Sequence, residues 1–419
     1  MGRRNFKLYP AQMGLQNYGI LQMQVINTAN FYPVENATIR IFRKENMETA
    51  VNILTTDISG KTGEIELVAP PLEYSLEPGP VLPYANYVVM ATAEGFQPVM
   101  IDSAQVLPFV KSVQPVEMTP IINGRESLEI ITVDDNFLAG NYTPKVFENE
   151  IKEMPPGEEN KPVVIPELIN VHTSVPINTL AANYDVGYVS YIKNVVSTVL
   201  YATWPKETIN AVIYTTLSFA LNRVYTNWYA RRGYNFDITS LAAFDQKWLR
   251  GRNIFTNISQ AVDQVFNSFL SRPDIVQPIL TQICRGELSL CPGMLPLWEA
   301  KRLGESGFGA QEILNYFFGD SLYINSTDQI EGIDMPWPGT DIGPGGPPEA
   351  VLHIQQELTK ISVAYRAIPI TENNGVYGET TLASVSEFQN IFDLPVTGIT
   401  DKATWYKIAR VYNLLRTDS

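Results

Sequence analysis

The chain has 419 residues, of which 45% are apolar and 18% charged, so it is long enough for about two to four domains with hydrophobic cores. Its 44 acidic residues outnumber its 30 basic ones, and the net charge of −14 argues against nucleic acid or an anionic membrane as the main partner. No apolar run reaches about 18 residues, and none follows Met1–Lys7 as a Sec signal would, so neither a membrane span nor Sec export is expected.

Alternating apolar and polar residues predict β strands up to about residue 120. The expected strands are Ile20–Val25, Ala37–Phe42, Ile65–Val68 and Tyr87–Met90. Three strings between and beside them resemble the transthyretin-like type of β sandwich, which is usually an accessory domain: Pro33–Ala37, Thr56–Gly60 and Ala93–Pro98. We assign residues 1–143 to this sandwich.

The composition then shifts over residues 144–168. This stretch contains the acidic, proline-containing run Glu148–Pro162, which has few apolar side chains. Such a composition is typical of an exposed linker and of a proteolysis site.

Residues 169–333 change to a helical period. Apolar residues recur at helical spacing from Tyr188 to Val199, and again from Ile209 to Val224 after Trp204–Pro205. A third helix is expected from Asn253 to Ser271 and a fourth from Ala310 to Phe318. This predicts a helix-rich central domain.

A second linker, rich in proline and glycine, covers residues 334–349. The remaining residues, 350–419, predict three short helices. Their motifs resemble the type 1 peptidoglycan-binding domain: Ile354–Gln355, Gly375–Thr381, Phe388–Gln389 and Ala403–Trp405. The candidate contacts with the polymer are Tyr377, Phe388, Gln389 and Trp405, although Phe388 and Trp405 also suit a hydrophobic core.

The central domain carries strings that resemble the stage II sporulation protein D catalytic fold. These are Tyr191–Glu207, Ser218–Arg223, Tyr234–Thr239, Phe244–Gln246 and Gly251–Phe255. With the sandwich before it and the wall-binding module after it, the whole chain resembles the clostridial spore cortex-lytic enzymes of the SleC type. The expected fold is α+β multidomain: an N-terminal β sandwich, a central helix-rich domain like a lytic transglycosylase, and a C-terminal three-helix peptidoglycan-binding domain.

This resemblance implies a lytic transglycosylase that cleaves cortex peptidoglycan in the spore during germination. It also implies a zymogen, with the sandwich as pro-region, that a germination protease activates by cutting the linker. The reaction needs one carboxylic acid that protonates the leaving sugar and then assists ring closure as carboxylate, and it needs no metal or cofactor.

The sequence departs from the family where that acid is expected. Aligning Asn194–Val195 and Tyr201 puts Val199 at the position of the catalytic glutamate, and valine cannot donate a proton. A second departure is Met294–Ala300, where the family has a Leu-Ser-Gln-Trp-Gly-like segment. We therefore expect a binding protein with impaired or lost cleavage.

Two alternatives stay open: an active enzyme with a relocated acid, or a regulator of an active relative. The candidate acids are Glu207, Asp237, Asp245 and Glu299. Each also fits a surface carboxylate, and Asp237 fits a helix cap or a turn.

Candidate substrate-binding residues are Asp245, Gln246, Tyr201 and Trp298. A carboxylate beside a neutral amide suits the hydroxyl and N-acetyl groups of sugars. Asp245 and Gln246 fit equally well as a buried polar pair that holds two helices together.

The two cysteines, Cys284 and Cys291, and the two histidines, His172 and His353, are too few for a zinc site built from Cys and His alone. Spacing alone leaves a local disulfide and two free thiols open. The family resemblance implies a short disulfide that pins a loop beside the cleft.

Overall fold

The computed structural model describes residues 17–286 and 291–416 and has a mixed α+β, multidomain architecture. Its N-terminal region is rich in β strands and its C-terminal region is helical. Within the described residues, no helix combines the length and apolarity that a membrane crossing requires.

From residue 17 onward, where the structure describes it, the N-terminal region has eight strands and one short helix. They are β1 (Asn17–Asn27), β2 (Thr38–Arg43), β3 (Asn52–Thr55), β4 (Ile65–Ala69), α1 (Glu73–Leu76), β5 (Ala85–Thr92), β6 (Val99–Val106), β7 (Lys111–Met118) and β8 (Glu129–Ile131). One sheet has the order β3-β2-β5-β6-β8, and the other contains β7-β1-β4. Alternate residues such as Leu21, Met23 and Ile39 are fully buried between the sheets, as the period of two in the sequence requires.

The central region follows in the order β9 (Leu168–His172), β10 (Asn183–Gly187), α2 (Tyr188–Val199), α3 (Lys206–Tyr225), β11 (Ile238–Thr239), β12 (Ile254–Phe255), α4 (Thr256–Val265), β13 (Ser268–Ser271), β14 (Gln282–Cys284), β15 (Met294–Pro296), α5 (Leu297–Glu305), α6 (Ala310–Phe318) and β16 (Tyr323–Ser326). Helix α3 starts directly after Pro205, which cannot supply an N–H to a preceding turn, and most of its side chains are buried. It is the central helix of this region.

The third expected helix is shorter than the sequence pattern predicts. Helix α4 ends at Val265, and Ser268–Ser271 forms an antiparallel pair with Tyr323–Ser326. Phe269 and Leu270 are buried here as strand residues, and the main-chain N–H of Leu270 donates to Ser218 Oγ. Tertiary pairing overrides the helical period of this segment.

The central region is joined to the sandwich through a shared sheet. Strand β12 pairs antiparallel with β7, with Ile254 opposite Val113. The side chain of Asn253 bonds both the N–H and the carbonyl of Gln105, at 3.0 and 2.8 Å. The two regions therefore share main-chain hydrogen bonds.

The expected first linker is exposed over only part of its length. Residues 156–160 are exposed, whereas Glu150 pairs with Arg272 at 2.8 Å and accepts from the N–H of Leu280 at 2.6 Å. Composition indicates exposure here, but ion pairing with the central region holds the first half of the stretch in place.

Three helices form the C-terminal region: α7 (Pro348–Ala364), α8 (Glu379–Ile391) and α9 (Lys402–Arg416). The second expected linker packs on them. Met335 O accepts from Trp405 Nε1 at 3.2 Å, and Ile342 forms a β bridge with Thr400.

Candidate functional site

Val199, the last residue of α2, is fully buried and lines a cavity of about 20 Å³. The cavity walls come from α2, α3, the loop after β11, and β14. Its lining residues are Phe137, Lys145, Val195, Val199, Phe219, Ala242, Asp245, Gln246, Lys247, Thr281 and Ile283. Val199, where the family resemblance expects the acid, and the candidate substrate residues Asp245 and Gln246 therefore line the same cavity.

The carboxylate of Asp245 is completely buried and saturated with hydrogen bonds. Its Oδ1 accepts from Arg223 Nε at 2.6 Å. Its Oδ2 accepts from Tyr229 Oη at 2.6 Å and from the N–H and hydroxyl of Thr239 at 2.8 and 2.7 Å. A carboxylate held by an arginine and three further donors is a structural anchor, because both of its oxygens are used to join separate parts of the chain.

Gln246 is also engaged on both ends of its amide. Its Oε1 accepts from Tyr191 Oη and its Nε2 donates to Thr216 O, each at 3.1 Å. Asp245 and Gln246 could contact sugar groups or form a buried polar pair. The observed contacts are those of the buried pair, and they tie α2, α3 and the following loop together.

Residues 134–152, here named the covering segment, run across this cavity. Phe137 and Lys145 of this segment form part of the cavity wall, and the N–H of Phe137 donates to Thr198 O at 2.9 Å. Lys145 Nζ donates to the main-chain carbonyl of Asp245 and lies 4.4 Å from the centre of the Phe219 ring. Burial lowers the pKa of Lys145 to about 7, against an opposing effect of Asp245.

Glu148 anchors the same segment to α3. Arg223 Nη2 donates to its Oε1 at 2.6 Å, and Lys152 Nζ lies 2.7 Å from its Oε2. Burial tends to raise the pKa of Glu148, but the hydrogen bonds from Arg223 and Lys152 outweigh it and lower the pKa. The sequence patterns did not predict this network; the one available signal was Arg223, the single charged residue of α3 after its first turn.

The other three candidate acids have structural partners, and within the described residues Asp245 alone of the four lines the cavity. Glu207 Oε2 accepts from the N–H of Ala310 at 3.1 Å, at the start of α6. Glu299 pairs with Arg302. Asp237 accepts from the N–H of Asn170 at 2.8 Å, and burial raises its pKa.

Tyr201 and Trp298 are brought together, but in a different place from Asp245 and Gln246. Their ring centres are 6.2 Å apart, and both rings pack on Trp204 at 5.8 and 4.9 Å. Tyr201 is buried and Trp298 half-buried, so the cluster is mainly internal. Tyr201 and Trp298 do not line the cavity of Asp245 and Gln246, and substrate binding by these four residues stays a prediction.

The sulfur atoms of Cys284 and Cys291 are joined, with a Cα–Cα distance of 6.3 Å. This disulfide closes the loop between β14 and β15, next to Ile283 of the cavity wall. Residues 287–290 of the loop lie outside the described part of the chain. Among the described residues, no group of three or more His, Cys, Asp or Glu side chains could hold a metal ion.

In the C-terminal region, the four candidate contact residues are at most 5% exposed. Phe388 and Trp405 form the core between the helices, Gln389 is buried, and Tyr377 donates to Gly398 O at 2.7 Å. The expectation that these four residues touch the polymer is therefore corrected: they support the surface.

Two buried glutamines shape the turns of this region in the same way. Gln355 Oε1 accepts from the N–H of Gly375, and its Nε2 donates to Val376 O and Thr381 Oγ1, all at 2.9 Å. Gln389 makes the equivalent bonds to residues 398, 399 and 404 at 2.9, 2.8 and 3.1 Å. Gly375 and Gly398 have φ of 74° and 66°, a backbone conformation that favours glycine.

Comparison with known proteins assigns this region. A family model described as a putative peptidoglycan binding domain matches residues 347–408. The chain thus carries a type 1 peptidoglycan-binding domain at its C-terminal end. No curated protein matches the chain.

Solved structures align with about a quarter of the chain. The minor pilin GBS52 of Streptococcus agalactiae aligns at 13% identity over 27% of this chain and 48% of the pilin, with a TM-score of 0.19. Catechol 1,2-dioxygenase of Acinetobacter sp. ADP1 aligns at 13% identity over 29% and 60%, with a TM-score of 0.19. The Bacillus anthracis TIE protein aligns at 14% identity over 25% and 17%, with a TM-score of 0.17. Each alignment spans less than two thirds of the other protein, and scores this low carry no functional argument.

Proposed function

We propose that this chain binds spore-cortex peptidoglycan and is a member of the spore cortex-lytic enzyme type that has lost glycan cleavage. The type 1 peptidoglycan-binding domain supports the binding part of the proposal. The resemblance of the central strings to the stage II sporulation protein D fold, with the domain order of the chain, supports the cortex-lytic relationship. Under this proposal the binding partner is cortex peptidoglycan, and the protein is located in the spore.

One observation carries the loss of cleavage: the position expected for the acid is Val199. The single carboxylate on the wall of its cavity, within the described chain, is Asp245, whose oxygens receive four hydrogen bonds. A lytic transglycosylase needs a carboxyl group that can give and regain a proton at the glycosidic oxygen. Val199 has no carboxyl group, and both carboxylate oxygens of Asp245 are occupied by hydrogen bonds within the chain.

The rival proposal is an active zymogen. The covering segment supports it, because this segment closes the cavity and precedes the exposed residues 156–160, where a germination protease would have access. In that case the acid is one of Glu207, Asp237, Asp245 and Glu299, and Asp237 has the raised pKa that suits a proton donor.

The test uses the full chain with a recognition sequence for a site-specific protease inserted after Gly157. Uncut and cut protein are incubated with purified cortex peptidoglycan, and bound protein and soluble muropeptides are measured by sedimentation and mass spectrometry. We expect binding without anhydromuramyl products in both states. Release of such products by the unsubstituted chain would establish the rival.

Val199→Glu restores a carboxyl at the expected position, and Val195→Glu is the matched control. Val195 lies one turn earlier on α2 and lines the same cavity. If the site around Val199 lacks only its proton donor, the protease-cleaved Val199→Glu variant releases anhydromuramyl products. The protease-cleaved Val195→Glu variant does not.

A further inference from the structure

The peptidoglycan-binding domain is held on two sides by the rest of the chain. On one side, Asp393 accepts from Lys61 and Lys111 of the sandwich at 3.1 and 2.9 Å. Lys61 also donates to the carbonyls of Asn390 and Ile391, both at 3.1 Å. The end of α8 is therefore fixed to the sandwich.

The second occupied side is helix α9. Arg410 pairs at 3.0 Å with Asp263 of α4, whose other oxygen lies 2.5 Å from Lys193. Lys402 Nζ donates to Asn267 Oδ1 at 2.8 Å. These sides of the domain are engaged and are not open to a polymer.

One open side of the domain is built by the two glutamine-held turns. Tyr377 joins the turns through its bond to Gly398 O, and a Cβ on Gly398 would lie 3.0 Å from Leu382 Cγ. Three aliphatic side chains are exposed around this junction: Val376 at 65%, Val396 at 59% and Leu382 at 41%. We name these three residues the turn face.

The chemistry of the turn face selects among the parts of peptidoglycan. All exposed large apolar side chains of the described domain are aliphatic, whereas sugar rings are usually met by the flat faces of aromatic residues. The exposed carboxylates of Glu372 and Glu379 flank Val376 in sequence. Three of the domain's cations, Arg366, Lys402 and Arg410, are engaged with the other regions.

We propose that the turn face binds the stem peptide of peptidoglycan, through its alanine methyl groups and free amine, and that it does not bind the glycan strand. Aliphatic side chains bury the methyl groups, and the nearby carboxylates complement the ammonium group. This proposal rests on the proposed peptidoglycan binding and specifies the part of the polymer that is recognised.

The test compares two valines of equal exposure in the full chain. Val376→Lys places a cation on the turn face, and Val363→Lys does the same on α7, where Val363 is also 65% exposed. Val396→Lys repeats the change on the second turn. Each protein is titrated against intact sacculi and against glycan strands from which an amidase has removed the peptides, with thermal unfolding as a check of folding.

We expect Val376→Lys and Val396→Lys to bind intact sacculi at least about tenfold more weakly, since burial of one valine contributes about that factor. Val363→Lys should bind intact sacculi within about twofold of the unsubstituted chain. The unsubstituted chain should not bind glycan strands from which the peptides have been removed. Equal binding of stripped strands, or undiminished binding by both turn-face variants, would overturn the stem-peptide assignment. Failure of the unsubstituted chain to bind sacculi would instead remove the proposed function itself.

Discussion

Arg223 and Glu148 form an ion pair of 2.6 Å that joins the central helix α3 to the covering segment. The same guanidinium bonds Asp245, so one arginine connects the covering segment, α3 and the wall of the Val199 cavity. The closure of the cavity therefore depends on a charge that lies inside the central region.

We expect Glu148→Gln to loosen the covering segment. The change removes a charged acceptor from both Arg223 and Lys152, and a hydrogen bond to a charged group contributes about 2 kcal/mol. Hydrogen exchange of residues 134–152 should accelerate by at least about tenfold while α3 stays protected. Glu153→Gln is the control, since Glu153 is exposed; equal exchange in both variants would show that Glu148 does not hold the segment.

Asp245→Asn distinguishes a structural carboxylate from a catalytic one. With Asp245 as an anchor, the substitution removes one of the two carboxylates that pair with the buried Arg223 and should lower the free energy of unfolding by about 3 kcal/mol. Urea unfolding measures this directly. A variant of unchanged stability would return Asp245 to the group of candidate acids.

The pKa of Lys145 predicts a pH dependence. Burial lowers this pKa to about 7 in the folded chain, whereas an unfolded lysine titrates near about 10.4. Between these values the unfolded state holds more protons, so the contribution of Lys145 makes stability rise as pH increases from about 7 to about 10. Below about pH 7 both states are protonated and the contribution is constant.

Lys145→Met isolates this contribution because methionine keeps an apolar stem of similar length. The free energy of unfolding of Lys145→Met minus that of the unsubstituted chain should decrease as pH is raised from 7 to 10. The other titrating groups are common to both proteins and cancel in this difference. A difference that does not change with pH would mean that Lys145 keeps an ordinary pKa.

The sequence predicted those elements whose apolar period matched their final packing. Helices α2, α3 and α6, the four strands β1, β2, β4 and β5, and the three C-terminal helices follow the period of their residues, whereas β3, β6, β7 and β8 were not predicted. The strand Ser268–Ser271 does not follow its helical period. Its strand partner, Tyr323–Ser326, lies more than 50 residues away and leaves no local signal.

At the candidate site too, contacts between residues distant in sequence left no signal from which they could be predicted. Alignment with a family pattern singled out Val199, and the carboxylate–amide pair singled out Asp245 and Gln246. The structure places these three residues on the wall of one cavity. The acidic, proline-containing composition predicts a linker over residues 144–168, which include the second half of the covering segment with Glu148 and Glu150. Their partners, Arg223 and Arg272, are distant in sequence, so composition could not distinguish a solvated carboxylate from a paired one.

The two glutamines of the peptidoglycan-binding domain should be equally important for its stability. Replacing either Gln355 or Gln389 with leucine leaves a glycine N–H and a turn carbonyl without their partner, at a cost of about 3 kcal/mol. Thermal unfolding of both variants, with exposed Asn390→Leu as control, measures the effect. A large effect at one position only would show that the two turns are not energetically equivalent.

A carboxyl at position 199 should interact with Lys145, since both residues line the same small cavity. Val199→Glu alone should destabilise the chain, because it buries a polar group, but the neighbouring ammonium group limits that cost. In a double-mutant cycle with Lys145→Met at pH 6, below the pKa of Lys145, the coupling energy should be about 1–3 kcal/mol in favour of the Glu–Lys pair. Additive effects within about 0.5 kcal/mol would mean that the new carboxylate does not meet Lys145. The covering segment would then not supply the ion-pair partner of a carboxylate at position 199.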